Sequence, residues 1–206
     1  SETGPKGYKA SDWSCDGGTQ DGASITLGIG EEATCTITND DIPALLTVIK
    51  KVDNQGLGAA VPADFTFGVK GENPDPASFP GNSSGTDVTL DAGAFLVQET
   101  DGPGGYAPTW DGDCSGEIAV GQHLVCTVTN TRQTGTITIV KALKPSTDSG
   151  LFNLKLDGDV AKADVGDGGT AGPITVGTGM HAVAEAAGTD TNLADYASSV
   201  VCASSS

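Results

Sequence analysis

Basic residues are few. Ten Lys and Arg stand against 27 Asp and Glu, a net charge of −17. A polyanion of this kind is repelled by phosphate backbones and by anionic lipid, which argues against nucleic-acid and membrane-surface binding. Aromatics are also scarce, at 5%, and there is a single Met. No apolar run approaches the ~18 residues of a membrane-spanning helix. The five cysteines (Cys15, Cys35, Cys114, Cys126 and Cys202) include no CxxC pair and no His at zinc-ligand spacing, so disulfides are the better reading than a metal site. Disulfides imply an oxidising, extracellular setting. The chain opens on neither an initiator Met nor a signal peptide, so it reads as a mature segment or an excerpt. Glycine is plentiful instead: 30 of 206 residues, about double the usual ~7%. That suits short strands and many turns.

What is present is a repeat. TCTITN (34–39) returns as VCTVTN (125–130), and the match extends both ways. SETGPKGYKASDWSC (1–15) lies over QETDGPGGYAPTWDGDC (98–114), and TCTITNDDIPALLTVIKKVDNQG (34–56) over VCTVTNTRQTGTITIVKALKPSTDSG (125–150). A looser copy, TGMHAVAEAAGTDTNLADYASSVVC (178–202), lies over residues 92–114. A period of about ninety residues fits a β-sandwich domain. The expected organisation is the closing part of a first repeat over 1–41, a complete repeat over 42–131, and a third over 132–206 without its last CTxTN strand. On this reading Cys202 is unpaired because its partner belongs to that strand. Either the sequence is a window on a longer array, or neighbouring molecules donate strands to one another.

Within the complete repeat, about seven strands are expected: 45–52, 63–70, 86–90, 93–99, 106–112, 116–120 and 121–130. Gly, Pro and Asp separate them, as in an antiparallel sandwich. MHAVAEAA (180–187) has helical propensity, but its alignment with AFLVQETD makes it a strand. Alternation assigns faces. Leu124, Cys126, Val128 and Asn130 share one, with Cys35, Ile37 and Asn39 inward in the first copy. Leu46, Val48, Lys50 and Val52 share another, matched by Ile137, Ile139, Lys141 and Leu143. Phe95, Val97 and Glu99 share a third, matched by His181, Val183 and Glu185. A Lys, a Glu and an Asn thus recur on apolar faces. Burying a charge costs several kcal/mol unless it is paired. One reading is a Lys–Glu ion pair with the Asn capping backbone groups. The other is an isopeptide bond, in which a buried neutral Lys attacks the Asn side-chain carbonyl while a protonated Glu shuttles the proton.

ETDGPGGY (99–106) and ETGPKGY (2–8) resemble the E-T-x-x-P-x-G-Y signature of SpaA-like (Cna B-type) domains, prealbumin-like modules of bacterial surface proteins, pilins and adhesins. The wider pattern, TITIVK through ET…GY to CTxTN, is similar to cysteine-bearing prealbumin-like repeats of large secreted proteins. The resemblance spans essentially the whole chain. It implies an all-β fold of tandem antiparallel sandwiches stapled by disulfides, and places the isopeptide triad near Lys50, Glu99 and Asn130. Counted back from the turn at Asp53, the reactive lysine aligns with Val48 or Lys50, and Lys51 is adjacent. Cys15–Cys35 and Cys114–Cys126 occupy corresponding places and are the expected pairs.

Other motifs carry less. GNSSG (81–85) matches a nucleophile elbow, but a strand follows where a helix is needed. The same loop holds a glycosylation sequon at Asn82-Ser83-Ser84. GTGMHA (177–182) lacks the βαβ context of a dinucleotide fingerprint. The acid-rich 157–169 lacks EF-hand spacing and reads as a solvated loop. His123 and His181 have no second ligand at metal spacing. Trp13 and Trp110 read as core or corner packing, an exposed one as a carbohydrate contact. The expected function is therefore structural and non-enzymatic, without cofactor or metal: part of a tandem-repeat stalk or filament of a bacterial cell surface or biofilm matrix. Its partners would be neighbouring repeats or copies of itself, joined by strand donation in one account. The alternative is an adhesin module that binds a glycan or matrix ligand through loops 71–85 and 157–173.

Overall fold

A computed structural model describes residues 3, 4 and 6–203, and divides the chain into two compact units, 1–131 and 132–206. The first unit opens with six three-residue strands: β1 (Tyr8–Ala10), β2 (Ser14–Asp16), β3 (Thr19–Asp21), β4 (Ser24–Thr26), β5 (Thr34–Thr36) and β6 (Asn39–Asp41). They pair only as β1–β6, β2–β5 and β3–β4. None of their residues is buried. Cys35 and Asn39 are exposed and Ile37 is half-buried. The inward face expected for this copy is therefore not formed by the described residues, among which no second sheet covers it.

Eight strands then build a sandwich: β7 (Ala44–Asp53), β8 (Thr66–Lys70), β9 (Ser78–Pro80), β10 (Thr86–Leu90), β11 (Gly93–Asp101), β12 (Tyr106–Gly112), β13 (Ser115–Ile118) and β14 (His123–Arg132). One sheet has the order β10-β7-β14-β12 and the other β13-β11-β8-β9. Alternation decides what fills the space between them. Leu46, Val48, Val88, Cys126 and Val128 come from the first sheet, and Phe67, Val69, Phe79, Phe95 and Val97 from the second. Thr127 and Thr129 fall on the opposite parity of β14 and stay partly solvated. Two expectations shift. The strand foreseen over 63–70 begins at Thr66, because Pro62–Asp64 form a 3-10 turn with proline at its start, where the missing N–H costs nothing. Loop 71–85 contains β9, whose Phe79 is buried against Phe67.

The first and closing strands, β7 and β14, are neighbours and run parallel, Leu46 opposite Leu124 through Val52 opposite Asn130. Parallel neighbours cannot be joined by a hairpin. Everything from β8 to β13 is the connection between them.

The second unit contains β15 (Thr134–Val140), β16 (Phe152–Leu156), β17 (Asp159–Val165), β18 (Thr170–Gly177) and β19 (Val183–Ala187). They form a β15–β18 pair and a β17-β16-β19 sheet. The helical propensity around Val183–Ala187 gives way to pairing with β16, Phe152 opposite Ala187. Residues 159–165, read as a solvated loop, are instead β17, a largely exposed strand hydrogen-bonded to β16. Residues of both loops expected to vary therefore belong to sheets.

Candidate functional site

Three strands deliver Lys50, Glu99 and Asn130 to one place. Lys50 is the fourth inward residue of β7 after Ala44, Leu46 and Val48, and is fully buried. Asn130 follows Cys126 and Val128 on β14 and is 1% exposed. Glu99 lies near the end of β11, on the facing sheet, where a register shift toward Asp101 interrupts the β8 ladder. Lys50 Nζ donates to Glu99 Oε2 at 3.0 Å and also to Asn130 Oδ1. Asn130 Nδ2 donates to Glu99 Oε1 at 2.8 Å. The ring is closed, each group touching the other two. Lys51, the neighbouring alternative, is exposed, and Val48 is core.

The surroundings are apolar. Lys50 Nζ lies 4.0 Å from the centroid of Phe65, and Phe65 meets Tyr106 edge-on. Gly81 closes on the lysine stem: a Cβ there would stand 2.8 Å from Lys50 Cγ and 2.4 Å from the Pro62 carbonyl. Burial holds the Lys50 pKa below 10.5, with the hydrogen bond and charge of Glu99 opposing the shift. A larger share of neutral amine is the consequence, and the neutral amine is the nucleophile. The side-chain carbonyl of Asn130 lies against it, its oxygen accepting a hydrogen bond from Nζ. Glu99 touches both the Lys50 amine and the Asn130 amide nitrogen.

The second unit repeats this arrangement in part. Lys141 Nζ pairs with Glu185 Oε2 at 2.6 Å and lies 3.8 Å from the Phe152 centroid. Phe152 meets Tyr196 edge-on, as Phe65 meets Tyr106. The two tyrosines are the Y of the repeat. Tyr106 donates to Asn54 and Tyr196 to Asp148, each acceptor lying in the turn that follows the unit's first strand. Asn54 and Asp148 were missed in the sequence. Their only signal was their position a few residues beyond each Lys.

Disulfides join Cys15 to Cys35 and Cys114 to Cys126, and Cys202 is free and exposed. His123 contacts Thr47 at 2.8 Å. His181 does not enter the Lys141–Glu185 site. It bridges Asp157 at 2.7 Å and the Gly177 carbonyl at 2.6 Å. The hydrogen bond to Asp157 raises the His181 pKa, and the same bond lowers that of Asp157. The sequon Asn82-Ser83-Ser84 is exposed, and β10 follows it where a nucleophile elbow needs a helix. Trp110 is exposed and Trp13 half-buried, so Trp110 is not a core packing residue. Among the described residues no group of three or more His, Cys, Asp or Glu stands close enough to hold a metal ion, and no helix is long and apolar enough to cross a membrane.

A family model described as a prealbumin-like fold domain, SpaA_2, matches residues 1–37 and 41–139. The chain belongs to this prealbumin-like family. Its second segment takes in every strand from β7 to β14. Among solved structures, the TIE protein of Bacillus anthracis is similar at 17% identity and a TM-score of 0.46, over 78% of this chain and 31% of that one. Two B repeat units of the collagen binding protein Cna of Staphylococcus aureus are similar at 16% identity and a TM-score of 0.28, over 79% of this chain and 55% of theirs. The chain thus spans about a third of the one and about half of the other. No match to a curated protein was found.

Proposed function

We infer that this chain is a tension-bearing structural segment of a tandem-repeat stalk or filament, exported to a bacterial cell surface or its surrounding matrix. The observation that supports this reading most is the closed ring of Lys50, Glu99 and Asn130 between the unit's first and last strands. Neutral Nζ of Lys50 attacks Cγ of Asn130. Glu99 takes the proton released by the amine and passes it to the departing nitrogen. The new Nζ–Cγ bond replaces the Cγ–Nδ2 bond, and one ammonia leaves. No oxidant or cofactor enters. The reaction happens once per unit, so it is self-modification and not turnover.

Parallel β7 and β14 make this bond mechanically useful. Tension applied at the start of β7 and the end of β14 shears their ladder lengthwise. An amide from residue 50 to residue 130 carries that tension past everything between. Membership of a prealbumin-like family and the disulfides agree with an extracellular surface role. Partners on this reading are neighbouring repeats in line. The intact mass of the full chain tests it. Loss of one ammonia is expected beyond the four hydrogens given up to the two disulfides, and Lys50→Ala and Asn130→Ala should each retain that ammonia. A wild-type mass lacking only the four hydrogens would overturn the cross-link.

A further inference from the structure

The ring of Lys50, Glu99 and Asn130 draws its members from two sheets. Lys50 and Asn130 stand on β7 and β14, neighbours in one sheet, and Glu99 stands on β11 of the other. The parallel ladder of β7 with β14 fixes the first two against each other. Glu99 has less backbone support. Its ladder to β8 is interrupted between Glu99 and Asp101. On its other side, the pairing of β11 with β13 spans Gly93 to Leu96 and stops short of Glu99. Beyond Leu96, the Val97 N–H donates to the Cys114 carbonyl at 2.8 Å. That contact lies two residues before Glu99, on the same inward parity.

Cys114 is therefore a junction. Its carbonyl holds β11, and its sulfur is bonded to Cys126 on β14. The Asp113 N–H adds a bond to the Val125 carbonyl at 2.9 Å. Cys126 is fully buried and shares the inward parity of Val128 and Asn130. The disulfide thus crosses between the sheets close to the ring, four residues before Asn130 and, through Val97, two before Glu99. Its flank is open. A cleft of about 390 Å³ runs along it, lined by Val97, Glu99, Trp110, Cys114 and Ser115 among others. Trp110 stays exposed and does not fill that space. At this wall the spacing of the sheets depends on the disulfide more than on packed side chains.

We propose that the Cys114–Cys126 disulfide positions Glu99 against Lys50 and Asn130, and so places the cross-link under redox control. The proposal rests on the reading of that ring as a cross-linking site. A reduced chain carries the same three residues, but its Glu99 drifts from the two nitrogens it must serve. Misplacing a reacting group by about 1 Å costs on the order of a hundredfold in rate. Closing the disulfide takes two electrons and two protons from the thiols of Cys114 and Cys126. A disulfide oxidant such as oxidised glutathione accepts them and leaves as two thiols. The amide then forms with loss of ammonia and needs no further oxidant. Chain made in a reducing compartment stays open, and locks once it meets an oxidising one. Cys114 and Cys126 act through Val97 and β14, as positioning residues.

Full chain synthesised in dithiothreitol, then moved into oxidised glutathione or into fresh dithiothreitol, tests it. Ammonia loss is followed by intact mass after complete reduction, so that only the amide changes the mass. Wild type is expected to lose one ammonia in the oxidant, and to do so at least about tenfold more slowly in dithiothreitol. Cys114→Ser with Cys126→Ser should be slow in both. Cys15→Ser with Cys35→Ser, which opens the disulfide of the opening segment, should keep the wild-type rate in the oxidant. Losing a disulfide also lowers the folded fraction. Each rate is therefore taken per folded molecule, measured by limited proteolysis, and repeated in trimethylamine N-oxide, which favours the folded state. Slow release that persists in folded Cys114→Ser with Cys126→Ser supports positioning. A rate that returns to the wild-type value with folding overturns the proposal. So do equal wild-type rates in oxidant and reductant, or equal slowing in both double variants. These three outcomes leave the cross-link itself standing. Wild type that keeps its ammonia in both buffers would overturn the cross-link and the proposal together.

Discussion

At the scale of single residues, Lys50 decides most. Replacing it by Ala removes the amine from a ring in which Glu99 and Asn130 are otherwise held by each other alone. It also removes the proposed amide to Asn130, and losing a buried polar pair alone costs about 3–5 kcal/mol. A loss of at least about 3 kcal/mol is therefore expected for Lys50→Ala in chemical denaturation. The lowered Lys50 pKa gives the cross-linking step a pH dependence. Below the folded-state value the neutral amine grows with pH, so ammonia release from freshly refolded chain should quicken as pH rises through neutrality. Mass spectrometry at timed intervals checks this, and a rate that falls as pH rises would count against Lys50 as nucleophile. His181 and Asp157 supply a second, opposite dependence in the other unit. The raised His181 pKa contributes stability in full below about 6.5, lost as pH climbs through the folded value. The lowered Asp157 pKa contributes above about 3.8, lost as pH falls through its folded value. The pair helps most between those limits. Thermal unfolding of the second unit should therefore weaken from about pH 6 to about pH 8, and His181→Ala should flatten that slope.

At the scale of elements, period-two alternation carried the most information. It put Leu46, Val48 and Lys50 on one face of β7 and Cys126, Val128 and Asn130 on one face of β14, as the structure has them. The repeat was just as informative, since it overruled helical propensity at Val183–Ala187. Three things were not legible. Phe79 sits in a three-residue strand too short to show a period. Gly81 is needed because the Lys50 stem passes close by, a contact made across the fold. The tyrosine anchors end on Asn54 and Asp148, turn residues whose partners lie about fifty positions away in sequence. Alternation also misled: it turned Cys35 and Asn39 inward, although facing residues need a second sheet to become a core. Two element-level outcomes follow. Tyr106→Phe should cost about 1 kcal/mol by removing the donor to Asn54 Oδ1 in the turn after β7, while Asn54 Nδ2 keeps its bond to the Ala60 carbonyl. Opening Cys114–Cys126 by replacing both cysteines with Ser should cost about 3 kcal/mol in equilibrium unfolding.

At the scale of the whole molecule, one device recurs in each unit: a lysine on the first strand, a glutamate on the facing sheet, a phenylalanine beneath the amine and a tyrosine beneath that ring. In the first unit β14 completes it with Asn130. On the proposed reading the closing strand is the element that converts a sandwich into a link. The central claim is that tension passes from residue 50 to residue 130 without crossing the fold between. Single-molecule pulling on the full chain, held at engineered attachment points flanking residues 42 and 131, tests it most directly. The account predicts that stretching never releases the chain between Lys50 and Asn130, and that Lys50→Ala adds that missing length, less the loop that Cys114–Cys126 keeps closed, at roughly 3.5 Å per residue. A wild-type unit that extends to the same full length as Lys50→Ala would contradict it.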